Sequence, residues 1–464
     1  MRWLTGKARG MSTSVLWFRR DLRLADHPAL LAALASADEV VPLFVLDPAL
    51  LGPAGAPRTA QLFGCLDTLA TATGGAMVLR SGDPVTEVLR LADEVDAAEV
   101  FVTEDFGPYG RRRDAAVAEA LTAAGRSLVP TGTPYGVPPG TLTTGGGTPF
   151  KVFTPYARAW RQVPVEPPVA APADPRWAGG VDGDELPPPP ALGDTEILPS
   201  GEAAAQARLD RFVAEAVRSY ATDRDRPGVS GTSRLSVDLR YGTLHPRQVL
   251  ARLGRGEGPG VFATELIWRD FYASVLFERP ETAREALRSE MEAIEVDEGP
   301  EADARYQAWA EGRTGYPIVD AGMRQLLAEA WVHNRVRMIV ASFLVKDLHL
   351  DWRRGARHFM AHLQDGDLAS NNHGWQWVAG TGTDAAPYFR VFNPVVQGKR
   401  FDPDGDYVRR YVPELAGLAG ASVHEPWASA EAGQESLFSG YPAPIVDHAT
   451  ERAEALSRYE ALSS

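Results

Sequence analysis

A chain of 464 residues is longer than one compact core organises, so two or more domains are expected. Its 44% hydrophobic and 23% charged content places it among soluble globular proteins. A net charge of −14 argues, taken globally, against a nucleic-acid partner, and the single cysteine, Cys65, excludes an intrachain disulfide or a Cys-rich zinc site.

Residues 1–10 are expected to lie outside the fold, because Met11, a polar tripeptide and an apolar strand make a natural start. The first basic residues are not followed by the apolar stretch of a secretory signal, and no run reaches membrane-spanning length. A cytoplasmic protein is expected. From residue 11 to 130 short apolar runs alternate with helical patterns. Residues 15–18, 40–46, 77–79, 100–102 and 128–129 read as strands, and 30–34, 61–72, 85–91 and 112–121 as helices. Asp83 before Pro84 is a helix start. This alternation predicts an α/β domain built on a doubly wound parallel five-stranded sheet, buried on both faces. No dinucleotide-binding glycine fingerprint opens the first helix; Arg19-Arg20-Asp21-Leu22-Arg23 stands there instead. The glycines at 254, 256, 258 and 260 read as a loop and those at 145–147 as a turn.

Residues 131–200 are rich in Pro, Gly and Ala, including Pro187 to Pro190, and read as an extended interdomain connector. Helical patterns fill 201–464, for example 203–220, 261–277 and 322–348. The second domain is therefore expected to be all-α.

The chemistry concentrates in this second half. Thr232-Ser233-Arg234-Leu235-Ser236 puts small hydroxyls ahead of an apolar helix, a pattern that suits either a plain cap or a bound phosphate. Glu265, Trp268 and Arg269 share one helical side. They suit stacking and hydrogen bonding to a base, or a Glu–Arg surface pair beside a buried indole. Asn334 and Arg337 are helical neighbours able to reach a base edge and a phosphate. From Trp331 to Arg357 six cations oppose two carboxylates, a local charge of +4 that reads as a basic groove or a solvated helix face. His358 and His362 have a zinc-like spacing, but His-Phe-Met-Ala-His lacks the usual Glu, so no metal is expected. Asp365-Gly366-Asp367-Leu368-Ala369-Ser370-Asn371-Asn372-His373-Gly374-Trp375-Gln376-Trp377 joins carboxylates, amides and tryptophans, and six of the eleven tryptophans fall between Trp268 and Trp377. That mix suits a planar redox-active ring held by hydrogen bonds among aromatics.

Together with Leu16-Trp17-Phe18-Arg19-Arg20-Asp21-Leu22-Arg23, Thr314-Gly315-Tyr316-Pro317 and the tract from Thr383 to Pro394, these motifs resemble the photolyase/cryptochrome family. The likeness runs over nearly the whole chain, and is nearest to class I photolyases of cyclobutane pyrimidine dimers. The resemblance implies a helical domain holding FAD, lined by Tyr220, Thr232, Ser233, Arg234, Leu235, Ser236, Phe262, Arg269, Asp365, Asp367 and Asn371. It implies a lesion pocket of Glu265, Trp268, Asn334, Arg337, Met338 and Trp377, with Arg224, Arg335, Arg390 and Lys399 or Arg400 at DNA phosphates. It implies light-driven electron transfer from reduced FAD to a flipped-out dimer, with Glu265 on the lesion, Asn371 at the flavin, and Trp375 and Trp352 as electron relays. The partner is then damaged DNA, acted on by a monomer.

Three departures stand out. The third, surface relay tryptophan is missing between Ala273 and Ala308, leaving Tyr306 or Trp309 as substitutes. His373 replaces a usual glycine. The folate-contacting residues are unmatched around Phe106 to Arg111, so a deazaflavin antenna, or none, is favoured over a folate. The competing readings are a signalling cryptochrome, a (6-4) photolyase and a small-molecule flavin oxidoreductase.

Overall fold

The computed structural model describes residues 11–384, 387–388, 390–431 and 440–462. Residues 1–10 lie outside the described residues, as do Ala385, Ala386 and Phe389 of the Thr383–Pro394 motif.

Five strands, β1 (Thr13–Phe18), β2 (Glu39–Leu46), β3 (Val78–Ser81), β4 (Glu99–Val102) and β5 (Ser127–Pro130), form one parallel sheet in the order β3-β2-β1-β4-β5. Alternate side chains of β1 point to opposite faces. Leu16 and Phe18 pack with Leu30 and Leu66 on one side, and Val15 and Trp17 with Leu91 and Val117 on the other. Burial on both faces is why the strands are continuously apolar rather than alternating. The covering helices are α1 (Pro28–Ser36), α2 (Ala56–Ala72), α3 (Pro84–Glu94) and α4 (Pro108–Ala123). Asp83 caps α3, its carboxylate accepting the Thr86 amide at 3.2 Å. β1 pairs with β2 on one side and β4 on the other, so the chain reverses its winding there. Such a switch point opens a crevice at the carboxyl ends of the strands.

Residues 131–200 contain one helix, Phe153–Trp160, and otherwise run extended. The Val40 amide donates to the Arg176 carbonyl at 2.8 Å, and the Ala178 amide donates back to Val40 at 2.9 Å. The segment thereby satisfies backbone groups of β2 that the short β3 does not reach.

The second half is helical: α5 (Glu202–Glu215), α6 (Ser236–Tyr241), α7 (Glu257–Glu278), α8 (Pro300–Ala310), α9 (Pro317–Glu329), α10 (Asn334–Lys346), α11 (Trp352–His362), α12 (Leu368–Ala379) and, near the end, α13 (His448–Ala461) frame it. Its core contains Trp309, Val319, Phe343, Leu344, Phe359 and Trp375. The helical pattern over 322–348 is two helices, not one. Ala330 adopts the left-handed region with φ +47° and ends α9, and His333 caps α10 by accepting the Arg335 amide at 3.2 Å. Both helices bury apolar faces in the same core, so periodicity carries through the break. The pattern over 203–220 likewise stops at Glu215. None of the described helices is long and apolar enough to cross a membrane.

The two halves meet closely. At Gly242, φ is +67° and a Cβ would lie 1.9 Å from the Arg20 carbonyl oxygen, so only glycine lets α6 end against the start of the chain.

Candidate cofactor and substrate cavity

A cavity of about 600 Å³ opens between α6, α7, α10 and α12. Every residue expected at the cofactor lines it: Tyr220, Thr232, Ser233, Arg234, Leu235, Ser236, Phe262, Arg269, Asp365, Asp367 and Asn371. Residues expected at the lesion, Arg224, Glu265, Trp268, Asn334, Arg335, Arg337, Met338, Trp377 and Arg390, line the same cavity, and so does Trp375.

The floor is acidic and under-satisfied. Asp365 Oδ2 accepts from Arg337 at 2.8 Å, while its buried Oδ1 has no partner among the described residues. An orphaned buried acceptor is costly unless a donor arrives. Asp367 Oδ1 caps α12 through the Ser370 amide at 3.1 Å, and Oδ2 accepts from Arg20 at 2.6 Å. Burial pushes the Asp367 carboxyl upward, but Arg20, Arg269 and Arg240 outweigh it and hold the group well below the usual carboxylate range. Asn371 donates its Nδ2 to the Ala356 carbonyl at 3.1 Å and to Asn372 Oδ1 at 3.0 Å, and its own oxygen accepts no hydrogen bond among the described residues. At one end Thr232 and Ser236 make no side-chain hydrogen bond among the described residues, whereas the Ser233 hydroxyl accepts the Leu235 amide at 3.2 Å. These donors and acceptors fit a dinucleotide that carries hydroxyls, ring N–H groups and phosphates.

Several side chains are engaged differently from expectation. Arg234 does not offer a free charge to phosphate: it pairs with Glu329 at 2.7 Å over the Trp331 ring, and its own φ is +54°. Glu265 pairs with Arg224 at 2.7 Å, not with Arg269 one turn along, whose guanidinium donates to the Pro134 and Leu239 carbonyls at 3.0 Å. Arg337 is committed to Asp365 and the Val332 carbonyl, so it belongs to the floor as much as to the mouth. Arg335 pairs with Asp225 at 2.9 Å. Lys399 is paired with Glu425 and does not line the cavity. Trp268 stacks on Phe153 at 3.6 Å, so the connector helix supports the aromatic wall.

The basic stretch from Trp331 to Arg357 is neither one groove nor one solvated face. Arg335 and Arg337 face the cavity. Lys346 is buried and donates to the Tyr388 and Arg390 carbonyls at 3.1 Å, and Arg353 and Arg357 face a second cavity. A spacing of about one residue per 100° distributes these charges around two helices. The rings of His358 and His362 lie 4.4 Å apart, and no group of three or more potential metal ligands occurs among the described residues.

His373 is buried against Tyr272, ring centroids 5.6 Å apart, with Nδ1 unpartnered among the described residues. Burial drops its pKa to about 4, only partly opposed by Asp367. Above about pH 6.5 the imidazole is neutral whether folded or unfolded. Between 6.5 and 4 only the unfolded chain takes up the proton, so stability is lost as pH falls through that window, by up to about 1.4 kcal/mol per pH unit. Chemical denaturation at pH 7 and 4.5 should therefore show a smaller drop for His373→Gln than for the unsubstituted protein. An equal drop would remove this assignment.

The second cavity, about 840 Å³, lies at the carboxyl ends of the strands. Arg19 and Arg20 after β1, Asp47 after β2 and the 105–113 segment after β4 face α11 across it. Trp352 lines this cavity, not the first.

The DNA photolyase family matches residues 14–174, and the FAD binding domain of DNA photolyase matches residues 262–461. This chain belongs to the DNA photolyase family. A deoxyribodipyrimidine photo-lyase of Streptomyces griseus is 42% identical over 97% of this chain and 99% of its own length. The crystal structure of a bacterial class III photolyase from Agrobacterium tumefaciens superposes with a TM-score of 0.92 at 36% identity, covering 99% of this chain and 100% of that one. An archaeal photolyase from Sulfolobus tokodaii, solved with two FAD molecules, gives 0.84 at 29% identity over 97% and 100% of the two chains.

Within this photolyase fold the sequence reading left some lining residues without a role. Arg240 borders both cavities and donates Nε to the Gly366 carbonyl at 2.9 Å. It lies four residues past Ser236, one helical turn, and that spacing could have flagged it. Arg20 belongs to the Leu16–Arg23 motif, but nothing local links it to Asp367, 347 positions away.

Proposed function

We propose that this protein repairs cyclobutane pyrimidine dimers in DNA with light, using reduced FAD. The observation that carries this is one cavity in which a donor-hungry acidic floor, with the orphaned Asp365 Oδ1, leads to an aromatic mouth of Trp268 and Trp377. Thr232 and Ser236 hydroxyls would take the phosphates, Asp365 and Asp367 ring or ribose donors, and the Asn371 oxygen the reactive edge of the ring. When bound, FAD supplies light absorption and one-electron transfer to the dimer.

The chain supplies position and electrostatics. Trp268 and Trp377 offer two faces between which a flipped-out dimer stacks, and a dimer is cheap to flip because it pairs and stacks poorly. Glu265, paired with Arg224 at the mouth, meets the thymine edge. Arg390, exposed at the rim, meets phosphate. Asn334 and Arg337, where a (6-4) enzyme would need a histidine pair, favour the cyclobutane lesion.

An oligonucleotide with one thymine dimer, incubated with chemically reduced protein, should be restored under blue light and not in the dark. No restoration in light would end this reading. Affinity should fall with salt at a slope near −0.9 per phosphate contact on duplex DNA. Arg390→Gln should flatten that slope by roughly one contact, and an unchanged slope would remove Arg390 from the interface.

For the second cavity we propose a light-harvesting chromophore. Its lining is rich in arginine, with Arg58, Arg112, Arg240 and Arg357 among its cations, beside the Trp17, Tyr109 and Trp352 rings. That suits a planar aromatic group bearing an anionic tail, such as a deazaflavin, and Sulfolobus tokodaii photolyase supports a second ligand by its two FAD molecules. Absorption bands beyond those of FAD in the purified protein would test it.

A further inference from the structure

Asp367 is the side chain through which the first domain reaches the cofactor cavity. One carboxylate oxygen caps α12, the helix that carries Asn371, Trp375 and Trp377 into that cavity. The other accepts from Arg20 at 2.6 Å. Arg20 sits just past β1, borders the second cavity, and does not line the first. Its backbone is fixed by the close approach of Gly242. Both partners are largely buried, with side chains 25% and 13% exposed, so water screens the pair weakly. Arg269 and Arg240 also act on Asp367, but neither donates a hydrogen bond to it. Arg20 is thus the one guanidinium hydrogen-bonded to this carboxylate among the described residues.

We propose that Arg20 is a positioning residue for the flavin: acting through Asp367, it sets the affinity and the midpoint potential of the cofactor from the other domain. Two effects follow from one contact. Geometrically, the pair holds the first turn of α12, and with it Asn371, in place in the cavity wall that would meet the ring. Electrostatically, the cation offsets Asp367 beside a cofactor that becomes more negative on reduction. Without Arg20 the carboxylate keeps only the Arg269 and Arg240 charges, neither of them hydrogen-bonded to it, and this less compensated anion disfavours the reduced form, so the midpoint potential moves to more negative values.

This rests on the FAD reading above, and the experiment separates the two. Full-length protein is stripped of flavin and titrated with oxidised and reduced FAD, following flavin fluorescence and absorbance, and the midpoint potential is measured by spectroelectrochemistry. Arg20→Gln is expected to weaken reduced FAD about tenfold more than oxidised FAD, which for a two-electron couple is a fall of about 30 mV. Asp367→Asn removes the charge that Arg20 compensates, so Arg20→Gln made in that background should shift the potential by less than about a third as much. Arg20→Lys keeps the charge and should stay near the unsubstituted value; it also serves if Arg20→Gln is not recovered folded, because a shift as large as complete charge loss predicts would contradict the electrostatic role. Equal shifts from Arg20→Gln in both backgrounds, or none in either, would overturn the proposal. If the unsubstituted apo-protein took up no FAD, the cofactor reading itself would fall.

Discussion

Glu265→Ala is expected to lower light-driven dimer cleavage by about 10²-fold while bound FAD stays nearly constant. Glu265 lies on α7 at the mouth, on the same helical side as Trp268, and among the described residues its only charged partner within ion-pair distance is Arg224 at 2.7 Å. Burial raises its carboxyl pKa, and Arg224 only partly offsets that. A carboxyl held closer to protonation than usual is suited to donate a hydrogen bond to a base carbonyl that gains negative charge. The arginines holding the floor are paired elsewhere, Arg337 with Asp365 and Arg20 with Asp367. The loss should therefore fall on the reaction and not on the cofactor. Repair is read by chromatography of a dimer-containing oligonucleotide under blue light, and FAD content by absorbance of the same sample. A parallel fall in both would move Glu265 into the cofactor site.

What could be read from the chain, and what could not, divides along physical lines. The sheet was legible because both faces of β1 are buried, leaving a run of apolar residues with no other explanation. The cavity residues were legible as motifs because each lies on a short contiguous segment: the 232–236 loop, one side of α7, the start of α12. The break at Ala330 was not, because a left-handed alanine leaves no mark on hydrophobic periodicity, yet it brings Trp331 under Arg234 and Asn334 to the cavity. Ion pairing was the least legible. Arg234 with Glu329, Arg335 with Asp225 and Arg20 with Asp367 each join residues about a hundred or more positions apart. Composition reports such charges as available when the fold has already spent them. The apparent basic groove of Trp331 to Arg357 fails for the same reason, since Lys346 is consumed by the Tyr388 and Arg390 carbonyls.

Trp375→Phe is expected to remove most light-driven reduction of oxidised cofactor, yet to spare repair by protein reduced chemically beforehand. Trp375 lines the cavity wall with its indole pressed on α11, where a Cβ on Gly355 would lie 2.1 Å from the ring. That contact leaves the indole no freedom to swing away, so it stays beside the cofactor space. Its aromatic neighbours are Phe359 at 5.1 Å and Trp309 at 6.1 Å between centroids, and Trp309 in turn meets Tyr306 at 6.0 Å. Trp352, one turn before Gly355, opens to the second cavity and makes no ring contact with Trp375 among the described residues. An oxidised Trp375 would therefore find its nearest oxidisable ring contact in Trp309. Trp309 is fully buried, so it would pass the charge on to the half-buried Tyr306 and does not itself replace the surface tryptophan missing between Ala273 and Ala308. Trp309→Phe should then slow photoreduction as well, at a stability cost that includes about 1 kcal/mol for the hydrogen bond its Nε1 donates to the Val340 carbonyl. Flash absorbance of the flavin in the two variants, with repair by pre-reduced samples as control, tests both. Unchanged photoreduction in Trp375→Phe would sever the link between this ring and the cofactor, and an equal loss of repair would make Trp375 a binding residue instead.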